Sequence, residues 1–178
     1  EWSRVVYSSF HNDTELLAET ALAELAERYT MLGTCSVLDL CTGSGALAIA
    51  IARLARKVSV TATDLSGEAL ELARRNAAAA SLPKPISFFE GDLFDALPPN
   101  SSFDMIVTNP PYIATAVIDT LEAQVRDYEP RTALDGGEDG LTIIRRILNE
   151  TPIYLKRGGV LLMEIGYDQG KAVSSLVN

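Results

Sequence analysis

The segment Ser36-Val37-Leu38-Asp39-Leu40 has the composition of a buried strand. It runs into Thr42-Gly43-Ser44-Gly45 and then into an Ala/Ile/Leu-rich helix reaching about Arg56. This order of strand, glycine turn and helix constrains the fold more than any other feature, and the chain repeats its outline. A β-branched strand is predicted over Lys57 to Asp64, with Ser66 as the cap of a helix from Gly67 to Ala80 that ends before Pro83 and Pro85. Ile86 to Phe89 and Phe103 to Thr108 read as two further strands. Leu141, Ile144, Ile147, Leu148 and Leu155 recur at helical spacing within a helix predicted over Gly140 to Leu155. Gly158-Gly159 is expected to end it before a strand from Val160 to Ile165, and a last helix begins near Gln169. Strands joined by helix-length connections pair in parallel, because a right-handed crossover needs that length. The fold class is therefore α/β, a doubly wound and mostly parallel sheet.

Ahead of this lies a short segment, Glu1 to His11, and then a helix start with Asn12 as N-cap and Glu15 at the capping-box position. Leu17, Ala21, Leu25 and Tyr29 give that helix one apolar face up to about Gly33, so residues 1–33 are expected to pack on the core. At 178 residues, with no linker and no internal repeat, the chain reads as a single domain. Fifteen Lys and Arg against 24 Asp and Glu give a net charge of −9, which disfavours a protein built to hold a polyphosphate backbone. Cys35 and Cys41 with the lone His11 supply neither a structural zinc site nor a disulfide framework, and no metal is expected. The longest nearly unbroken apolar run, Ala46 to Ala52, is far short of the roughly 20 residues that cross a bilayer. No basic-then-apolar leader opens the chain. A cytoplasmic protein without a membrane partner is expected; the oligomeric state is not read.

In open parallel sheets ligands bind beyond the carboxyl ends of the strands, so the residues just after each strand carry the information. Four such ends stand out. Asp39-Leu40-Cys41-Thr42-Gly43-Ser44-Gly45 offers a sharp turn and the free N–H groups of a helix start. Asp64, nineteen residues past Gly45 and followed by Leu65, can accept hydrogen bonds from both hydroxyls of a ribose, a unit shared by NAD and S-adenosyl-L-methionine. Gly91-Asp92-Leu93 can meet an adenine amino group through Asp92 while Leu93 covers the ring; a plain turn aspartate is the alternative. Asn109-Pro110-Pro111-Tyr112 is the most specific of the four. Two prolines remove two donors and hold the backbone extended. Asn109 Oδ1 and the Pro110 carbonyl can then each accept a hydrogen from a planar amino group, with the Tyr112 ring as an aromatic wall.

With Asp64 and Asp92, the glycine loop resembles that of the class I S-adenosylmethionine-dependent methyltransferases, whose core is Rossmann-like. Asn109-Pro110-Pro111-Tyr112 is similar to the signature of members that methylate amino or amide nitrogens. The stretches Tyr128 to Leu141 and Glu164 to Gly170 resemble the HemK family, the protein-(glutamine-N5) methyltransferases of peptide chain release factors. The resemblance runs from about Asp13 to the end of the chain. It implies S-adenosyl-L-methionine as cofactor, S-adenosyl-L-homocysteine as product and a release factor as protein partner. Cofactor-binding roles fall on Asp39, Cys41, Thr42, Gly43, Ser44, Gly45, Asp64, Leu65, Asp92, Leu93 and Asn109. Asn109, Pro110 and Tyr112 are the implied catalytic residues, and Pro111 joins them in binding substrate. The family's N-terminal helical domain and closing β-hairpin are expected to be absent from these residues. Phe10-His11-Asn12 stands where the family has proline-rich residues. Cys41 stands where it often has glycine, a change the loop accepts if Cys41 keeps a negative φ.

Three rivals remain on the sequence: an RNA or DNA base N-methyltransferase, a non-catalytic cofactor-binding module, and a nicotinamide dehydrogenase. The net charge and the Tyr128 to Leu141 stretch weigh against the first, and the intact acceptor residues against the second. Asp135, Gly137, Asp139 and Gly140 do not make a calcium loop, since glycine holds its third position and Arg146 its twelfth. Glu129 and Arg131 are expected to brace the loop over the site, Arg74-Arg75 and Arg145-Arg146 to be solvated helix faces, and Cys35 to be a small buried residue.

Overall fold

The computed structural model describes residues 5–8, 14–29, 33–122 and 130–177. Its strands are β1 (Val5–Ser8), β2 (Cys35–Leu40), β3 (Val58–Asp64), β4 (Ser87–Glu90), β5 (Phe103–Thr108) and β6 (Leu155–Glu164). They form one sheet in the order β1-β6-β5-β2-β3-β4, and every pairing is parallel. The helices are α1 (Thr14–Tyr29), α2 (Ala46–Leu54), α3 (Gly67–Ala79), α4 (Thr115–Ile118), α5 (Arg131–Leu134), α6 (Thr142–Tyr154) and α7 (Gly170–Val177), with a 3-10 turn over Leu93–Ala96. The expected α/β class holds, and Ser66 caps α3 by accepting the Ala69 N–H at 3.2 Å.

Successive residues of a strand point to opposite faces, so the near-continuous apolar strands feed two cores. Val37, Val60, Met105, Val107 and Leu162 pack beneath Leu17, Ala21 and Leu25 of α1 and Leu47, Ala48 and Ile51 of α2. Their neighbours Leu38, Leu40, Ile106, Leu161 and Met163 pack on the other face against Ile144, Ile147 and Leu148 of α6 and Val173 of α7. The first 33 residues thus contribute α1 to the first core.

One strand was not read from the sequence, and one expectation is corrected. Residues before the first helix include a strand, β1, which lies at the sheet edge with Val5 beside Leu161 and Ser8 beside Glu164. Gly158-Gly159 does not end a helix: α6 stops at Tyr154 and β6 starts at Leu155, ahead of the predicted Val160. Phe103 faces Leu155 while Met105 faces Val160, so β6 carries extra residues opposite Asp104. The glycines serve that bulge. Gly158 has φ +84, and a side chain on Gly159 would stand 2.8 Å from the Asp104 carbonyl oxygen. The capping role read for Asn12, and His11, lie outside the described residues.

Candidate active site

From β2 the chain passes through β3 and β4 toward one edge, whereas β5 and β6 lie on the other side of β2. The order reverses between β2 and β5, and a parallel sheet opens its binding crevice at the carboxyl side of that reversal. Leu40 is in register with Thr63 and Thr108, and Asp64 with Glu90, which brings the four strand ends to one rim.

The glycine loop is fixed from below. Asp39 is 1% exposed; its Oδ2 accepts hydrogen bonds from Thr42 Oγ1 at 2.5 Å and from the Ala48 N–H at 3.0 Å. Burial pushes its carboxyl up to about 7, helped by the charge of Asp64 and opposed by those two bonds. Asp39 therefore holds the loop and the first turn of α2 in place. Asp64 does the same from β3: Oδ2 accepts the Gly43 N–H at 2.8 Å and Oδ1 the Ser66 N–H at 2.9 Å. Each oxygen keeps a further acceptor position. Gly45 has φ +82, and a side chain there would stand 2.9 Å from Ala73 Cβ, so glycine is required. Ser44 is exposed at the turn, and its carbonyl accepts a hydrogen bond from Asn76 Nδ2 at 2.9 Å.

Cys41 overturns the expectation of a negative φ: it sits at +61, in the left-handed region. Its side chain packs with the apolar cluster that includes Leu40, within hydrogen-bonding reach of Thr108, and this packing offsets a strain of about 1–2 kcal/mol. Burial first, then the charge of Asp64, pushes the thiol up to about 12. Cys35 is 3% exposed, as expected of a small buried residue.

At the third strand end, both Asp92 oxygens are paired with Arg146, at 3.1 and 2.9 Å. Leu93 is 7% exposed and belongs to the core, whereas Leu65, 62% exposed, is the apolar side chain that the rim leaves open. Arg145 pairs with Asp139, which it holds down to about 2, so the two arginines of α6 are both ion-paired rather than merely solvated. Arg74 lies 5.7 Å from the centre of the Phe88 ring, also more than a solvated face.

At the fourth end, Thr108 is buried and donates to the Leu40 carbonyl at 2.7 Å, tying β5 to β2. Asn109, Pro111 and Tyr112 are half-buried and Pro110 is buried. Tyr112 donates its hydroxyl to Glu164 Oε1 at 3.3 Å. The Asp135 to Leu141 stretch wraps the chain that follows. Ile113 N–H donates to the Leu134 carbonyl, Gly136 N–H to the Ile113 carbonyl and Thr115 N–H to the Gly137 carbonyl. A side chain on Gly136 would stand 2.8 Å from Tyr112 Cα. Asp135 accepts from Thr115 Oγ1 at 2.6 Å and from the Gly137 N–H at 3.0 Å, bonds that lower its carboxyl below the usual range. The glycines and aspartates that resemble a cation loop are thus used to bind chain to chain, and no cluster of metal-ligating side chains occurs among the described residues. Arg131 reaches Asp119 at 3.3 Å and braces the same stretch; Tyr128 and Glu129 lie outside the described residues.

Sequence reasoning assigned no role to Gln169 or Glu164 and read Arg146 only as part of a solvated helix face. All three lay in segments it had noted, but their partners are distant in sequence. Among the described residues no helix is long and apolar enough to cross a membrane.

Residues 6–126 match the model of the methyltransferase small domain family. The chain is 38% identical over 164 residues to the release factor glutamine methyltransferase of Agrobacterium fabrum, covering 92% of this chain and 56% of that protein. It is 46% identical over 132 residues to the ribosomal protein uL3 glutamine methyltransferase of Bordetella pertussis, covering 74% of this chain and 44% of that protein. The chain thus spans about half the length of the curated relatives it matches. The crystal structure of a ribosomal protein L11 methylase from Lactobacillus delbrueckii subsp. bulgaricus superposes with a TM-score of 0.64 at 24% identity, covering 93% of this chain and 67% of that one. That likeness concerns the fold.

Proposed function

The chain belongs to the methyltransferase small domain family, and we propose that it methylates the side-chain amide nitrogen, N5, of the glutamine in the Gly-Gly-Gln motif of a peptide chain release factor. One observation carries this reading. Asn109-Pro110-Pro111-Tyr112 stands at the end of β5, directly across the sheet reversal from the glycine loop after β2. A planar amide held by the first would face whatever is held by the second.

S-adenosyl-L-methionine is the cofactor that fits. When bound it supplies a methyl group activated by a sulfonium, leaving S-adenosyl-L-homocysteine. Gly43 and Gly45 take positive φ; a side chain on Gly45 would collide with Ala73 of α3, whereas nothing lies within 4 Å of where one on Gly43 would stand, which leaves the backbone open to close approach there. Asp64 keeps acceptor positions for ribose hydroxyls, and Leu65 offers an exposed apolar face for a ring. Thr42 and Ser44 complete the loop. Asp39 and Cys41 act beneath it, through position. Asp92 reaches an amino group while paired to Arg146, with Leu93 as packing behind it.

The amide nitrogen of glutamine is a poor nucleophile because its lone pair is shared with the carbonyl. Asn109 Oδ1 and the Pro110 carbonyl accept the two amide hydrogens, return electron density to nitrogen and aim it for in-line attack. Tyr112, its hydroxyl anchored to Glu164, packs on the amide and keeps water out. Orientation and fixed dipoles then carry the rate, and effective molarity in well-oriented systems supplies about 7–11 kcal/mol. No dedicated base is needed, since the proton leaves after the methyl arrives.

The test is a transfer assay with labelled S-adenosyl-L-methionine, a release factor carrying the Gly-Gly-Gln loop, ribosomal protein uL3 and total RNA, followed by peptide mass mapping. Label on the loop glutamine is expected. Label confined to RNA would retain the fold and overturn the substrate.

A further inference from the structure

Three loops that sequence keeps apart meet at one side chain, Gln169. Its Nε2 donates to the Tyr112 carbonyl at 2.9 Å and to the Gly140 carbonyl at 3.2 Å. Its Oε1 accepts the Gly166 N–H at 2.8 Å. A primary amide offers two donor hydrogens and one carbonyl, and here all three are engaged, each with the backbone of a different loop. Gly140 and Gly166 are glycines at these contacts for a spatial reason. A side chain on Gly140 would stand 2.7 Å from Nε2 of Gln169, and one on Gly166 would stand 3.0 Å from its Cδ. Gln169 is half-buried just before α7, whose Val173 is anchored in the core, so the clasp has a rigid base.

We propose that Gln169 is a positioning residue for the transfer step: its amide holds the Asn109-to-Tyr112 cradle at a fixed height against the β6–α7 turn. The inference rests on the functional reading given above. The two prolines of the cradle stiffen it but cannot donate, so the bond received by the carbonyl that follows them adds to the Tyr112 hydroxyl and Ile113 N–H bonds in setting its placement. A displacement of 1 Å in a reacting group can lower a rate a hundredfold. Among the described residues Gln169 hydrogen-bonds to Tyr112, Gly140 and Gly166 and not to the glycine loop or Asp64, so its loss acts on the acceptor side.

Gln169→Glu tests this with almost no change of shape. It retains the acceptor for Gly166 and turns a carboxylate oxygen toward two carbonyl oxygens. Gln169→Met removes both donors without adding charge. In the full chain, both variants are expected to bind S-adenosyl-L-methionine within twofold of the parent while kcat for the release factor falls at least tenfold. Amide hydrogen exchange is expected to accelerate at residues 112–116 and 136–142 and to stay unchanged at 35–64. Parental kcat in either variant of an active enzyme overturns the inference and leaves the functional reading standing. Unchanged exchange at 112–116 overturns it as well. Faster exchange at 35–64 in both variants also overturns it, because the side chain would then serve global stability. A parent chain that binds S-adenosyl-L-methionine and methylates no protein overturns the functional reading, and the positioning role falls with it.

Discussion

Replacing Asp39 by asparagine keeps an oxygen for Thr42 Oγ1 and the Ala48 N–H while removing a charge from beneath the glycine loop. Burial raises the Asp39 carboxyl from 3.8 to about 7 in the folded chain. The folded state therefore holds this proton to higher pH than the unfolded state does. Its contribution to stability is fully present below pH 4 and is lost as the pH rises through about 7. At about 1.4 kcal/mol per pKa unit, a rise of about 3 units makes the ionised form cost about 4 kcal/mol. Between pH 5 and 8 the parent should lose roughly 2.5 kcal/mol that the Asp39→Asn variant keeps. Every other titrating group is common to both chains, so the difference between their profiles isolates this one. Urea unfolding at pH 5, 6, 7 and 8 measures it. The stability gap should widen steadily with pH in favour of the variant; parallel profiles would show that Asp39 is already ionised in the fold and would refute the argument from burial.

Asn109→Ala should reduce glutamine methylation at least a hundredfold, while calorimetry finds cofactor affinity within about threefold of the parent; near-normal turnover would remove Asn109 from the mechanism. Gly140→Ala places a methyl group against the Tyr112 carbonyl at φ +73 and should lower stability by about 2–4 kcal/mol, read as a drop in urea midpoint. Cys41, half-buried and with its thiol raised to about 12, should resist iodoacetamide at pH 8 in the folded chain and react once urea unfolds it; rapid labelling of the native protein would contradict the raised thiol.

Much of the sheet was legible because parallel strands must be apolar on both faces and must alternate with helices. The same logic singled out the residues after β2, β3, β4 and β5 from residue order alone, and the register brings those four strand ends to one rim. The edge strand β1 was not legible: four residues, Val5–Ser8, carry no alternation long enough to separate them from a loop, and only their pairing with Leu161 to Glu164 defines them. Gly158-Gly159 misled for a related reason. Glycine marks both helix ends and bulges, and only the register between Asp104 and β6 distinguishes the two. Within the site, residue type indicated which groups could act but not which way they face. Asp39 turns inward to Thr42 and Ala48, Leu93 joins the core, and Arg146 spends its guanidinium on Asp92, 54 positions earlier.

The clasp at Gln169 joins residues 57 positions apart. The bonds from Asp39 and Asp64 that fix the glycine loop, by contrast, span at most 21 positions. Closing longer loops costs more entropy and slows the pairing of distant segments. During synthesis from the N-terminus, the bonds that fix the glycine loop can therefore form while the Gln169 clasp still awaits the turn before α7. A nascent or truncated chain ending before Gln169 would hold its glycine loop in place while the Tyr112 and Gly140 carbonyls still lacked their shared donor. Order in the glycine loop alone is thus a poor report of whether this chain has finished folding.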